Sequence, residues 1–147
     1  MKKWILTGIS GSGRIELLND IETFLRRKGK SVKVYDVGKL VKDECTKNGI
    51  PIIDDRILDI DHAQLKLLRV SALKGVEIDI LKNPKIDLHL VGLHATFRWK
   101  SRLIPGISYQ DLMSIGPHGF INVVHNVKNV FETNKNNPKW DKDTLPG

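Results

Sequence analysis

Gly8-Ile9-Ser10-Gly11-Ser12-Gly13-Arg14-Ile15 is the stretch on which the reading of this chain turns. On its N-terminal side lies a short apolar run, Trp4-Ile5-Leu6-Thr7; on its C-terminal side Leu17, Leu18, Ile21, Phe24 and Leu25 recur at helical spacing. An apolar run of that length closed by glycines predicts a strand buried on both faces, as strands of parallel sheets are. The amphipathic segment predicts a helix over residues 14–28 with Gly29 as its stop. Strand, glycine loop and helix together let backbone N–H groups converge on phosphate oxygens at a helix N-terminus, where the helix dipole also favours anions. In the full motif, G-x-x-x-x-G-K-[ST], a lysine reaches the outer phosphates and a hydroxyl ligates magnesium. Gly8, Ser10, Gly11, Ser12 and Gly13 keep the backbone frame, while Arg14 and Ile15 stand where the lysine and the hydroxyl residue are expected. Arginine retains the charge on a wider planar fork, and isoleucine offers magnesium no oxygen. Phosphoryl transfer depends on positioning and charge neutralisation, so rate should suffer more than ground-state binding. The alternative is a glycine-rich turn without a ligand.

Outward from the loop, residues 31–35 predict a second strand ending at Asp36, and residues 38–47 a helix with Leu40, Val41 and Cys45 inward. Residues 48–60 read as irregular, broken by Gly49 and Pro51, before Asp61 caps a long helix that ends near Asn83-Pro84. Residues 86–93 give a third strand, with His94 at its C-terminal end, where open parallel sheets collect ligands. A basic loop follows, Phe97-Arg98-Trp99-Lys100-Ser101-Arg102, then a short helix within residues 106–114 and a strand over residues 120–124. Asn126 caps a last helix, and residues 134–147 read as a loosely ordered polar tail carrying Pro138, Trp140 and Pro146. Alternating strands and helices predict a three-layer α/β/α domain over residues 1–133, with a parallel sheet of at least four strands and a helical insertion at about 38–85. Either the tail supplies a further strand or the chain stops short of one.

The chain has 147 residues, a formal charge of +7 and a single cysteine, Cys45. One core is expected, with no intrachain disulfide, no Cys/His cluster at zinc spacing, no membrane span and no secretion signal, so the cytoplasm is the default compartment. The charge favours polyanionic partners. Asp54, Asp55, Asp59 and Asp61 fit no calcium loop; helix capping and a solvated face account for them, and no metal site is assigned. His62, His118 and His125 read as structural.

The glycine loop, the β-α-β unit and the long helical segment before the third strand make the chain resemble P-loop nucleotide kinases of the adenylate-kinase-like type. Lys33-Val-Tyr-Asp-Val-Gly-Lys-Leu40 and His94-Ala-Thr-Phe-Arg-Trp-Lys-Ser-Arg-Leu-Ile-Pro-Gly106 resemble segments of archaeal ATP-binding proteins of that kind. The resemblance implies ATP or a related nucleotide as ligand, bound through the loop, and a nucleoside or nucleoside monophosphate as acceptor. It implies an acceptor-side role for Asp36, which would accept a hydroxyl proton or orient a base; as a plain sequence feature Asp36 would cap the next helix. Arg98 would clamp phosphate, with His94, Thr96, Lys100 and Arg102 as further acceptor or phosphate contacts. His94 could equally bond a carbonyl, the cations could be exposed surface, and Trp99 could stack on a base or cover a sheet edge. No acid ends the third strand, since Asp87 stands at its start and Gly92 near its end, so magnesium stays open along with Arg14 and Ile15. The expectation is a nucleotide-binding protein in which phosphoryl transfer is weak or lost. A non-catalytic sensing or assembly module, and a nucleic-acid-binding protein using the basic loop and tail, are the alternatives. Oligomeric state is not legible.

Overall fold

A four-stranded parallel sheet in the order β2-β3-β1-β6 organises the molecule, seen in a computed structural model that describes residues 1–99, 102–135 and 137. The strands are β1 (Lys2–Gly8), β2 (Val32–Asp36), β3 (Leu88–Leu93) and β6 (Gly119–Val123). Among the described residues the helices are α1 (Arg14–Arg27), α2 (Val37–Lys47), α3 (His62–Lys82), α4 (Tyr109–Ile115) and α5 (Val127–Asn134), with a 3-10 turn at Ile57–Asp59.

Alternation along the central strands creates the layers. In β1, Ile5 packs with α2, α3 and α4 while its neighbour Leu6 packs with Leu18 of α1; in β3, Val91 and Leu93 join the first set and Leu90 the second. Each central strand therefore buries both faces, which is why it reads as an unbroken apolar run. The α/β class, the helices on both faces and the four parallel strands follow the expectation from sequence.

Local signals set the element ends. Asp61 accepts from the N–H groups of Ala63 (3.0 Å) and Gln64 (3.1 Å) at the start of α3. Ser108 and Asp111 form a reciprocal capping box on α4, and Gly116 closes it at φ 59°. The acidic run before α3 goes to ion pairs, Asp55 with Lys42 (2.6 Å) and Asp59 with Arg56 (2.5 Å). Cys45 is fully buried.

One segment differs from the sequence reading. The basic loop is in part an antiparallel hairpin, β4 (Thr96–Trp99) against β5 (Arg102–Pro105), with Phe97 opposite Ile104 and Arg98 opposite Leu103. Phe97 and Ile104 pack on the larger core cluster. The alternation was present in sequence, but the interleaved cations made it read as a solvated loop. Lys100, Ser101 and the tail residues Pro138, Trp140 and Pro146 lie outside the described residues.

Candidate functional site

The carboxyl ends of β1, β2 and β3 converge on the first turn of α1. Gly13 supplies the N-cap of α1 at φ 81°, a left-handed conformation that costs a glycine little, and it carries no side-chain cap. Gly11 is also left-handed, at φ 80°, and a Cβ there would come within 2.9 Å of Asn134 Oδ1. Asn134 ends α5 with its side chain buried, and its Nδ2 donates to the Ser10 carbonyl at 2.9 Å. A Cβ on Gly8 would meet Ser12 Oγ at 2.7 Å. The glycines are thus fixed by close approach as well as by backbone conformation, and the loop rests on the last helix.

Two polar side chains are buried in this setting without full satisfaction. Ser12 is 4% exposed and Arg14 6% exposed, and Ser12 Oγ, Arg14 Nε and Arg14 Nη1 have no hydrogen-bond partner. The remaining Arg14 nitrogen, Nη2, lies 3.4 Å from His94 Nε2. A guanidinium only donates, so this contact requires Nε2 to accept and the ring proton to sit on Nδ1. Burial pulls the Arg14 pKa below its ordinary value, with Asp36 and then Glu16 pulling the other way. The guanidinium reaches the flank of β3 because residue 92 is glycine: a Cβ there would sit 2.3 Å from Leu18 Cδ1 and 3.4 Å from Arg14 Nη1. Any side chain at that strand position would run into Leu18.

Two hollows meet at Arg14, Ile15 and His94. The one over the loop, about 420 Å³, is bordered by Ser10, Gly11, Gly13, His125, Thr133 and Asn134. The other, about 100 Å³, lies among α2, α3 and the hairpin, where Val37, Val41, Leu58, Leu93 and Phe97 give it apolar walls. Asp36, Lys39, Lys42 and Arg69 bring charge to its rim. Asp36 caps α2, accepting from Gly38 (3.0 Å) and Lys39 (3.4 Å), so the sequence feature read as a cap is one, and the same carboxylate acts electrostatically on Arg14. Ile15 stands 48% exposed between the hollows.

The expected contacts divide by position. Gly8, Ser10, Gly11, Ser12, Gly13, Arg14, Asp36 and His94 are brought together. Thr96 and Arg102 are exposed on the hairpin, Arg98 lies on β4, and Lys100 is outside the described residues. Neither Thr96 nor Arg102 borders the two hollows. Sequence reasoning missed Arg69, Phe97, His125 and Asn134. Arg69 lies with its guanidinium 5.1 Å from the centre of the Phe97 ring and donates to the Pro105 carbonyl; burial lowers its pKa while Asp111 opposes the shift. Its signal was weak because α3 is apolar around most of its circumference, leaving no face marked as special. Asn134 sits 124 residues from the carbonyl it holds, beyond any local pattern.

The two side chains that ordinarily hold magnesium beside such a loop, a hydroxyl and an acid, have no counterpart at Ile15 and at the end of β3. Among the described residues no group of three or more His, Cys, Asp or Glu side chains is placed to hold a metal ion.

No protein-family model matches the chain. Among curated proteins it is similar to the adenylate kinase of Saccharolobus solfataricus, 25% identical over 117 residues, covering 80% of this chain and 60% of the enzyme. The adenylate kinase of Sulfurisphaera tokodaii is 26% identical with the same coverage. The chain thus spans about three fifths of the length of these curated relatives, with which it shares distant homology. Its fold matches the crystal structure of APE1195, with a TM-score of 0.56 and 16% identity over 99% of this chain and 78% of that one. Among the described residues no helix is long and apolar enough to cross a membrane.

Proposed function

We propose that this distant relative of archaeal adenylate kinases binds ATP or a related nucleotide through its phosphates at the glycine loop, with phosphoryl transfer to a nucleoside or nucleoside monophosphate weak or lost. The observation that carries the reading is the set of buried, unpartnered donors at the head of α1: Ser12 Oγ, Arg14 Nε and Arg14 Nη1. An unsatisfied buried donor costs about 1–3 kcal/mol. A phosphate at the loop would bring acceptors to the end of a helix that already favours anions. Arg14 borders both hollows, so an anion held there sits between a loop-side ligand and any acceptor among α2 and α3.

Weak turnover follows from what surrounds that arginine. Its fork is drawn to His94 and to the flank of Gly92, while Ile15 leaves the loop without its hydroxyl. The same three features, Arg14, Ile15 and Gly92, favour a second reading in which the site senses nucleotide or governs assembly without chemistry.

Calorimetric titration with ATP, in magnesium and in EDTA, followed by a phosphotransfer assay on AMP and on nucleosides, tests both. Binding that survives EDTA with slow product formation is the expected result. Binding without any product selects the sensing module. Absence of binding, unchanged by Arg14→Ala, reduces the loop to a turn. The paired change Arg14→Lys with Ile15→Thr should raise turnover if the rest of the site is intact.

A further inference from the structure

The pole of the molecule opposite the loop gathers six exposed lysine and arginine side chains. In a parallel sheet all strands start at one end, and helices that return between them finish there too. Lys2 opens β1 and pairs in register with Leu88, which is also the partner of Val32, so the turns before β1, β2 and β3 are adjacent. Hydrogen bonds join them directly: Lys2 N donates to the Asp87 carbonyl (2.8 Å), and Ser31 N and Oγ donate to Asp87 Oδ2 (2.8 and 3.0 Å). Around that seam stand Arg27 and Lys28 at the end of α1, Lys30 before β2, Lys82 at the end of α3, and Lys85 before β3.

Lys2, Arg27, Lys28, Lys30, Lys82 and Lys85 are all exposed, and none forms an ion pair among the described residues. The nearby acids are already engaged: Glu22 with Arg26, Asp79 with Lys33, and Asp87 with Ser31. The Met1 ammonium and Lys30 both act on Asp87, which, together with the Ser31 bonds that dominate, holds its carboxyl below the usual range. Because α1 and α3 lie on opposite faces of the sheet, the cations spread in two dimensions, over roughly 20 Å from the layer spacing of about 10 Å. A helix C-terminus explains one or two cations through its dipole. It does not explain Lys2, Lys30 and Lys85, which lie in strand starts and turns.

We propose that this pole docks on the phosphate backbone of a double-stranded nucleic acid. Its width matches a lattice of phosphates better than a single anion. Single strands call for exposed rings on which bases stack. The exposed phenylalanines on this side, Phe24 of α1 and Phe120 near the start of β6, stand on separate elements, and Lys28 lies over the Phe24 ring, 5.7 Å from its centre. A membrane calls for a contiguous apolar face between the cations, whereas the exposed apolar side chains here, Met1, Phe24 on α1 and Leu81 on α3, stand singly on separate elements. Five of the six cations are lysines, point charges that grip backbone without reading bases, so binding is indifferent to sequence. This surface is separate from the hairpin cations considered from sequence and does not rest on the nucleotide reading.

Anisotropy titrations with fluorescein-labelled 20-base-pair duplexes of DNA and of RNA, at several NaCl concentrations, test it on the full chain. Six phosphate contacts predict a slope of log affinity against log salt of about −5. The triple change Lys28→Glu, Lys30→Glu, Lys85→Glu should weaken binding by more than about tenfold at 100 mM salt and bring the slope to roughly −2 to −3. The neutral triple, with Gln at the same positions, should lower the slope similarly and guards against misfolding, read from its melting curve. A control triple elsewhere, Lys47→Glu, Lys66→Glu, Lys128→Glu, should change affinity by about twofold at most. Binding to either duplex with this dependence supports the proposal, and the ratio of the two tells DNA from RNA. It is overturned if neither duplex binds, if the control weakens binding as much as the polar triple, or if the chain prefers phosphatidylserine vesicles to both duplexes.

Discussion

Replacing Arg14 by Met removes a guanidinium that is 6% exposed and leaves an unbranched apolar side chain beside Leu18 and Gly92. Two of its nitrogens, Nε and Nη1, are buried without partners, and burial lowers its pKa despite Asp36 and Glu16. An unsatisfied buried donor carries a cost of about 1–3 kcal/mol, and exchanging buried charge for a packed apolar group often stabilises by about 1–4 kcal/mol. Against this stands the 3.4 Å contact to His94, worth about 1 kcal/mol. The net expectation for the free protein is a gain of about 1–2 kcal/mol, a rise in melting temperature of roughly 2–4 °C per kcal/mol in a chain of this size. ATP at about a hundred times its dissociation constant adds about 2.7 kcal/mol to a protein that binds it. Melting curves with and without ATP should therefore cross: the variant more stable alone, the unaltered protein more stable with ligand. Opposite signs are what a site built to receive an anion gives and a structural arginine does not. A variant less stable than the parent when free, or protected by ATP to the same extent, refutes the reasoning.

Three further outcomes are expected. Gly92→Ala places a Cβ 2.3 Å from Leu18 Cδ1 and should cost about 1–3 kcal/mol in urea denaturation; Leu18→Ala, about 2–5 kcal/mol on its own, should cost less in the Gly92→Ala background, so that the two changes are far from additive. Asn134→Ala removes the donor to the Ser10 carbonyl and should cost about 1 kcal/mol while weakening ATP binding about fivefold by titration calorimetry, since the loop loses its rest. His89 is fully buried, its Nδ1 2.9 Å from the Tyr35 hydroxyl and its Nε2 3.2 Å from the Asn83 carbonyl, and burial lowers its pKa. Below its unfolded value of about 6.5 the unfolded chain takes up the proton first, so stability should fall with pH by up to about 1.4 kcal/mol per unit until the folded pKa is passed. Urea midpoints between pH 7.5 and 5.5 measure this, and His89→Gln should flatten the profile.

Much of the architecture was legible because it is written in periods that a single chain displays. The apolar runs of β1 and β3 bury both faces and announce themselves without partners, and Asp36, Asp61 and Asn126 mark helix starts by local bonds to their own N–H groups. The glycines of the loop were visible for the same reason. What stayed hidden depends on distance. Nothing near Gly92 in sequence tells that its missing side chain makes room for Leu18 and Arg14, and nothing near Arg69 marks it for a hollow shared with Phe97. The hairpin was masked by charge: Phe97 pairs with Ile104 across β4 and β5, but the cations interleaved in the sequence imitate a loop.

The contact between Asn134 and the loop has a consequence for the order in which the molecule comes into being. Ribosomes deliver β1 and the glycines before α5, yet the carbonyl of Ser10 acquires its donor only when a residue 124 positions later has emerged and α5 has docked. Contacts so far apart in sequence carry the largest closure entropy and form late. The loop, made before α5, thus reaches its final shape only after that helix has docked, and the nucleotide capture proposed above would report that α5 is in place.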